Sequence, residues 1–223
     1  MKKFFCLHGL PRAGNTLLGS IINQNPKVAV TANSIIADML GELYSLQNTD
    51  IFKNFPDHKS FDNATKSLIQ SYYKDWPQDY IIDRNPWGMP INLKFLKKVQ
   101  EDIRIVVLVR DVQEILASFI KWSEKEPTSF VNQYAARTVE EKCDMLMNQE
   151  GQIVKELIGI KHLLDHQPKE MYHIVEYNDL CDDPKQTIEG IYDFLGIYRF
   201  NHRYTNLDQF YVNGMKYDDN IVG

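Results

Sequence analysis

Two glycines set five residues apart, with a hydroxyl residue two positions beyond the second, occur in Gly9-Leu10-Pro11-Arg12-Ala13-Gly14-Asn15-Thr16. The spacing is that of the phosphate loop G-x-x-x-x-G-K-[ST]. In that loop backbone N–H groups cradle phosphates, the lysine reaches the β- and γ-phosphates and the Ser or Thr helps hold Mg²⁺. Every fixed position is matched except the lysine, where Asn15 stands. A cradle without that lysine points to a phosphate ligand other than a nucleoside triphosphate. The N–H groups of Ala13, Gly14, Asn15, Thr16 and Leu17 would form an anion nest at a helix N-terminus, and Arg12 adds a full charge within the loop.

Other residues have the chemistry to complete such a site. Arg110 follows the most apolar strand-like run of the chain, and Ser118 lies eight residues beyond it. Asp83-Arg84 ends another short apolar run, which makes Asp83 a candidate base projecting to the same rim. His8 directly precedes the loop and reads as packing against the sheet or touching loop backbone. Lys94, Lys97 and Lys98 form a basic helical face that reads as solvated, and His162 and His166, four apart, lack a ligand partner at a familiar metal spacing.

These residues need a scaffold that brings strand ends together. Apolar runs at 3–7, 28–30, 80–82, 103–109 and 171–175 predict strands, the fourth β-branched and apolar nearly throughout, as suits a parallel strand covered on both faces. Between them, helices are predicted over 17–22, 35–46, 60–73, 91–99, from Asp111 as N-cap through Trp122, and across most of 130–164. A last helix over 184–195 closes on Gly196. Residues 48–59 read as a surface loop, and the stretch beyond Ile197 as irregular. Strands alternating with helices predict a three-layer α/β/α fold around a central parallel sheet, with ligands bound beyond the carboxyl ends of the strands.

Composition narrows the class. The chain has 223 residues, a net charge of −5 and 43% hydrophobic residues, which fits one domain over 1–223 and argues against general nucleic-acid binding. Its apolar runs fall short of the ~18–20 residues of a membrane span. The first residues read as a strand, not a signal peptide. Cys6, Cys143 and Cys181 are widely spaced without a C-x-x-C pair, which suits a reduced, cytoplasmic compartment.

Taken together, three segments make the chain resemble the sulfotransferases that use 3′-phosphoadenosine 5′-phosphosulfate. The loop from Gly9 to Leu18 is similar to their 5′-phosphosulfate loop, and Val109-Arg110-Asp111 through Ala117-Ser118 to their 3′-phosphate segment. Ile174 to Leu180, followed by Asp183-Pro184 and Tyr192-Asp193-Phe194-Leu195-Gly196, resembles their closing strand and helix. The resemblance implies the P-loop nucleotide-binding superfold, a donor held by Arg12 through Leu17 with Arg110, Ser118 and Tyr177, and transfer without bound metal. It further implies that Arg12, in a position where many relatives carry lysine, contacts the sulfate and leaving oxygen, and that Arg84, beside the candidate base Asp83, contacts the sulfate or the acceptor. Lys216 would be a late-loop cation for the 3′-phosphate. The acceptor, a small molecule or glycan bearing a hydroxyl or amine, would lie among residues 32–46, the 48–60 loop and the Phe130 region. Alternative readings are a small-molecule kinase that uses Arg12 in place of lysine, and a non-catalytic nucleotide-binding protein.

Overall fold

A computed structural model describes residues 2–133, 137–208 and 210–217. The apolar runs become five parallel strands, β1 (Lys3–Gly9), β2 (Val28–Val30), β3 (Tyr80–Arg84), β4 (Ile105–Val109) and β5 (Tyr172–Glu176), in the order β2-β3-β1-β4-β5. Parallel neighbours require crossovers, and helices supply them. Helix α1 (Asn15–Ile22) joins β1 to β2, and α2 (Ile36–Leu46), α3 (Asp50–Asn54) and α4 (His58–Tyr72) lead to β3. Helix α5 (Pro90–Val99) joins β3 to β4, and α6 (Val112–Lys125), α7 (Phe130–Gln133), α8 (Val139–Met147) and α9 (Gln152–His166) lead to β5. Helices α10 (Tyr177–Asp182) and α11 (Pro184–Leu195) follow, then a hairpin of β6 (Tyr211–Val212) and β7 (Met215–Lys216). The result is the expected α/β architecture with flanking helices.

The core explains the sheet order. In β4, Ile105, Val106, Val107 and Leu108 are each at most 1% exposed, as a strand covered on both faces must be. Strand β1 pairs with β3 on one side and β4 on the other, with Leu7 opposite Arg84 and Gly9 opposite Leu108. This register brings the ends of β1, β3 and β4 to one edge. Among the described residues no helix is long and apolar enough to cross a membrane.

Several elements depart from expectation for local reasons. The stretch read as a surface loop contains α3 and the start of α4, because Thr49 accepts from the Phe52 N–H and Asp57 from the Ser60 N–H. Each is an N-cap that lets a short polar sequence begin a helix. The region beyond Ile197 is not wholly irregular. Asn213 and Gly214 have φ of 48° and 78°, the pair of positive angles a two-residue hairpin turn needs. Tyr177 starts a helix directly after β5, and Asp83 and Arg84 belong to β3 itself. Asp111 caps α6 as expected, accepting from the Gln113 and Glu114 N–H groups.

Candidate functional site

The loop between β1 and α1 is shaped by its glycines and by Asn15. Gly14 has φ of 91°, and a Cβ there would stand 2.7 Å from the Tyr177 ring. A Cβ on Gly9 would lie 1.7 Å from Asn15 Oδ1, so the bare Gly9 makes room for the asparagine side chain. Asn15 folds back into that space, 8% exposed, and its Nδ2 donates to the Leu10 carbonyl at 2.7 Å. The residue in the lysine position therefore braces the loop from inside. The Ala13 N–H also turns back onto Leu10, at 3.2 Å, which corrects the expectation that it joins the anion nest. The first bond of α1 runs from Leu18 N–H to the Gly14 carbonyl. The N–H groups of Asn15, Thr16 and Leu17 thus precede any intrahelical acceptor and remain for an anion.

Two arginines close the loop against α6 and α10. Arg12 has φ of 58°, an unusual conformation for a residue with a Cβ. Its Nε donates to Ser118 Oγ at 3.2 Å, and its guanidinium lies 5.8 Å from the Trp122 ring centre. Arg110 donates to the Arg12 carbonyl at 3.0 Å, pairs with Glu114 at 2.9 Å and stacks on Tyr177 at 4.0 Å from the ring centre. The residues singled out in three distant segments thus meet in one place. They line a cavity of about 280 Å³ that contains Gly14 to Leu17, both arginines, Ser118 and Tyr177. Arg84 and Tyr217 lie on its remaining side.

A larger cleft, about 510 Å³, continues from Arg12 and Arg110 along α6 past Ser118 and Trp122 to Lys121 and Lys125. These two lysines were not singled out in the sequence. Their signal was available, since positions 114, 118, 121 and 125 recur at helical spacing along one face.

Asp83 does not project to the rim. It is 0% exposed, and Tyr73, Asn85 and Trp87 all donate to its carboxylate. Burial pushes its pKa up, against the opposing pull of hydrogen bonds from Ser34, Tyr73, Asn85 and Trp87. Burial, and then the Asp83 charge, push the Tyr73 phenol far up, so that oxygen keeps its proton and donates it. Saturated with donors and sealed from solvent, Asp83 organises the end of β3 and does not reach an acceptor.

Arg84 does reach the site. Its guanidinium is anchored on the Ala32 carbonyl at 3.0 Å and on Asn33 Oδ1, and its N–H donates to Thr31 Oγ1 at 2.8 Å. Burial pulls its pKa down, opposed by Glu156 and Tyr217.

His8 is fully buried and accepts from the Gly88 N–H through Nδ1 at 2.8 Å, a contact to the turn between β3 and α5 and not to the phosphate loop. That bond leaves the proton of the neutral ring on Nε2, which meets Glu156 Oε2 at 2.6 Å. The approach is oblique, outside hydrogen-bond geometry. Glu156 was missed because α9 is distant in sequence from the loop.

The remaining candidates lie elsewhere. Lys94, Lys97 and Lys98 are exposed and donate to Tyr44, Gln167 and Asp62, as a solvated face should. His162 and His166 stack on one another at 4.8 Å. Lys216 lies in β7 on a different cavity, away from Arg110 and Ser118.

The fold is that of known proteins. A model described as the sulfotransferase family matches residues 5–201. A sulfotransferase from Alicyclobacillus acidocaldarius superposes with a TM-score of 0.59 at 13% identity, covering 94% of this chain and 87% of that one. The sulfotransferase domain from the curacin biosynthetic pathway gives 0.58 at 16% identity, over 89% and 75% of the two chains. A mouse sulfotransferase complexed with PAP gives 0.55 at 16% identity, over 90% and 60%. No curated protein matches by sequence.

Proposed function

The chain belongs to the sulfotransferase family, and on that premise we propose that it transfers a sulfuryl group from 3′-phosphoadenosine 5′-phosphosulfate to an acceptor hydroxyl. The observation that carries this reading is the convergence of Arg12, Arg110, Ser118 and Tyr177 beside the free N–H groups of α1. One anion site at the loop and a second along α6, with the Tyr177 ring stacked against Arg110, fits a nucleotide phosphorylated at both 5′ and 3′ positions. The 5′-phosphosulfate would lie on Gly14 to Leu17, and the 3′-phosphate against Arg110 and Ser118, with Lys121 and Lys125 extending the positive field. Tyr177 would face the adenine.

Asn15 supports this donor over a nucleoside triphosphate. Its neutral amide is spent on the Leu10 carbonyl, so position 15 offers a β,γ-diphosphate no cation. Thr16 would donate to phosphate.

In the transfer, the acceptor oxygen attacks sulfur in line and a new O–S bond forms. The bond from sulfur to the bridging phosphate oxygen breaks, and its electron pair leaves with adenosine 3′,5′-bisphosphate. Charge grows on that bridging oxygen, so preorganised donors at the loop lower the barrier. Arg12 would swing from Ser118 onto the sulfate or its leaving oxygen, and, as a guanidinium, would stabilise charge without giving up a proton. Arg84 would hold the sulfate from the opposite side. The acceptor proton must pass to a base. Glu156, whose charge acts on Arg84 and whose Oε2 lies 2.6 Å from His8 Nε2 beside the loop, would take this role in place of Asp83.

Incubation with sulfur-labelled donor and an acceptor mixture, in the presence of a chelator, tests the reading. Labelled acceptor and an equal amount of bisphosphate are expected. Tight donor binding without any transfer would leave a non-catalytic nucleotide-binding protein instead.

A further inference from the structure

A separate cavity of about 350 Å³ opens on the other half of the sheet edge, with Thr31 to Ser34 on one wall. These residues follow β2, and the sheet order puts β2 beyond β3 on the side away from β4 and β5. The donor cavity lies over β1, β4 and β5. Two residues connect the halves. Tyr217 lines both cavities, and Arg84 lines the donor cavity while its guanidinium grips Ala32 and Asn33 of the other. With adenine at Tyr177, the sulfate end of a donor points from the loop toward Arg84 and this second cavity.

The lining decides what would fit. Tyr72, Trp76, Phe210, Val212 and Met215 provide ring faces and apolar surface. Among the described lining residues Lys216 alone is charged, and Arg84 at the junction is a second cation. The Asp83 carboxylate is fully buried and closed off by the Tyr73 hydroxyl that donates to it. Apolar and aromatic walls favour a ring system, the thioether of Met215 adapts to its outline, and an ammonium group held against those walls, at the end of the body remote from the reacting hydroxyl, would lose water without gaining a counter-charge. We propose that this cavity is the acceptor site and that it takes hydroxyl compounds with an aromatic or alicyclic body, neutral or anionic, and rejects cationic amines. The assignment rests on the transfer reading above.

Three phenols of nearly equal shape test it: 4-ethylphenol, 4-hydroxyphenylacetate and tyramine, with glucose as a hydrophilic control. Rates are measured with saturating donor, and the Kd of adenosine 3′,5′-bisphosphate is measured in parallel. The cavity predicts kcat/KM for 4-ethylphenol and 4-hydroxyphenylacetate roughly tenfold or more above tyramine, and glucose at background. Met215 is half exposed on the hairpin, so Met215→Asp is expected to fold. It should raise KM for 4-ethylphenol by about tenfold and shrink the discrimination against tyramine, with the bisphosphate Kd unchanged. Tyr72→Asp provides a second disruption from a different element.

Several results would overturn the assignment while leaving the donor reading intact: bisphosphate binding with tyramine or glucose used as well as 4-ethylphenol, no change in KM in either variant, or no member of the panel turned over. Failure of the wild-type protein to bind the bisphosphate would remove the transfer reading and this assignment with it.

Discussion

Arg110 makes three different contacts at once, to the Arg12 carbonyl, to Glu114 and to the Tyr177 ring. It therefore both shapes the loop and presents charge to a ligand. Arg110→Ala should weaken adenosine 3′,5′-bisphosphate by roughly 10- to 100-fold, in line with loss of a charge-assisted contact, and calorimetry reads the change. Arg110→Lys should recover only part of it, because an ammonium cannot stack and bridge as the planar guanidinium does. Glu156 gives a different signature. If it takes the acceptor proton, Glu156→Gln lowers kcat by roughly 10²- to 10⁴-fold with the bisphosphate Kd unaltered, whereas an unchanged kcat would return it to a purely structural partner of His8. The residues that converge on the loop were legible in the sequence because each residue type sat at a strand end or at a fixed helical interval. Asp83 misled for a physical reason. A carboxylate at the end of a strand reads as exposed unless its donors are known, and Tyr73, Asn85 and Trp87 are brought to it by the turn after β3 and by α4.

At the scale of elements, α6 carries much of the site, since its N-terminus follows Arg110 and its face bears Ser118, Lys121 and Trp122. Asp111 caps that helix through two N–H groups. Asp111→Ala should cost about 1 kcal/mol of stability, the usual loss for an N-cap, with a fall in Tm of roughly 2–4 °C and weaker bisphosphate binding through displacement of Arg110. A lowered Tm with untouched binding would separate the cap from the site. The alternation of strands and helices was readable because parallel strands buried on both faces are apolar throughout and helices show one apolar face. The hairpin was harder to read. Its strands are two residues each, too short for any period to show, and only the Asn213-Gly214 turn announced it. Of the residues expected around an acceptor, Ala32 lines the second cavity, while Phe130 packs against Phe119 and Trp122 in the opposite half.

For the molecule as a whole, charge is unevenly spread. The chain is net negative by five, yet Arg12, Arg84, Arg110, Lys121 and Lys125 gather along one edge of the sheet, which focuses a positive potential on an anionic donor. Bisphosphate binding should accordingly weaken with rising salt. Stability carries its own pH signature. Burial lowers the pKa of both His173 and His202 from the ordinary 6.5, so below that value the unfolded chain binds more protons than the fold does. Their contribution is present above about pH 6.5 and is lost as pH falls through the lowered folded values. A Tm falling between about pH 7 and pH 5 is expected, with a shallower slope in His202→Gln, whose amide can still meet the Tyr192 hydroxyl that now lies 2.9 Å from His202 Nε2. An identical slope in that variant would assign the effect elsewhere. In the proposed transfer, the loop and α6 together recognise a nucleotide carrying both 5′ and 3′ anions without a metal. Calorimetric titration of the intact protein with adenosine 3′,5′-bisphosphate, ADP and ATP·Mg²⁺ measures that recognition. The bisphosphate should bind equally well with or without a chelator and roughly tenfold or more tighter than ADP, which lacks the 3′-phosphate. Equal or tighter binding of ATP·Mg²⁺ would overturn it.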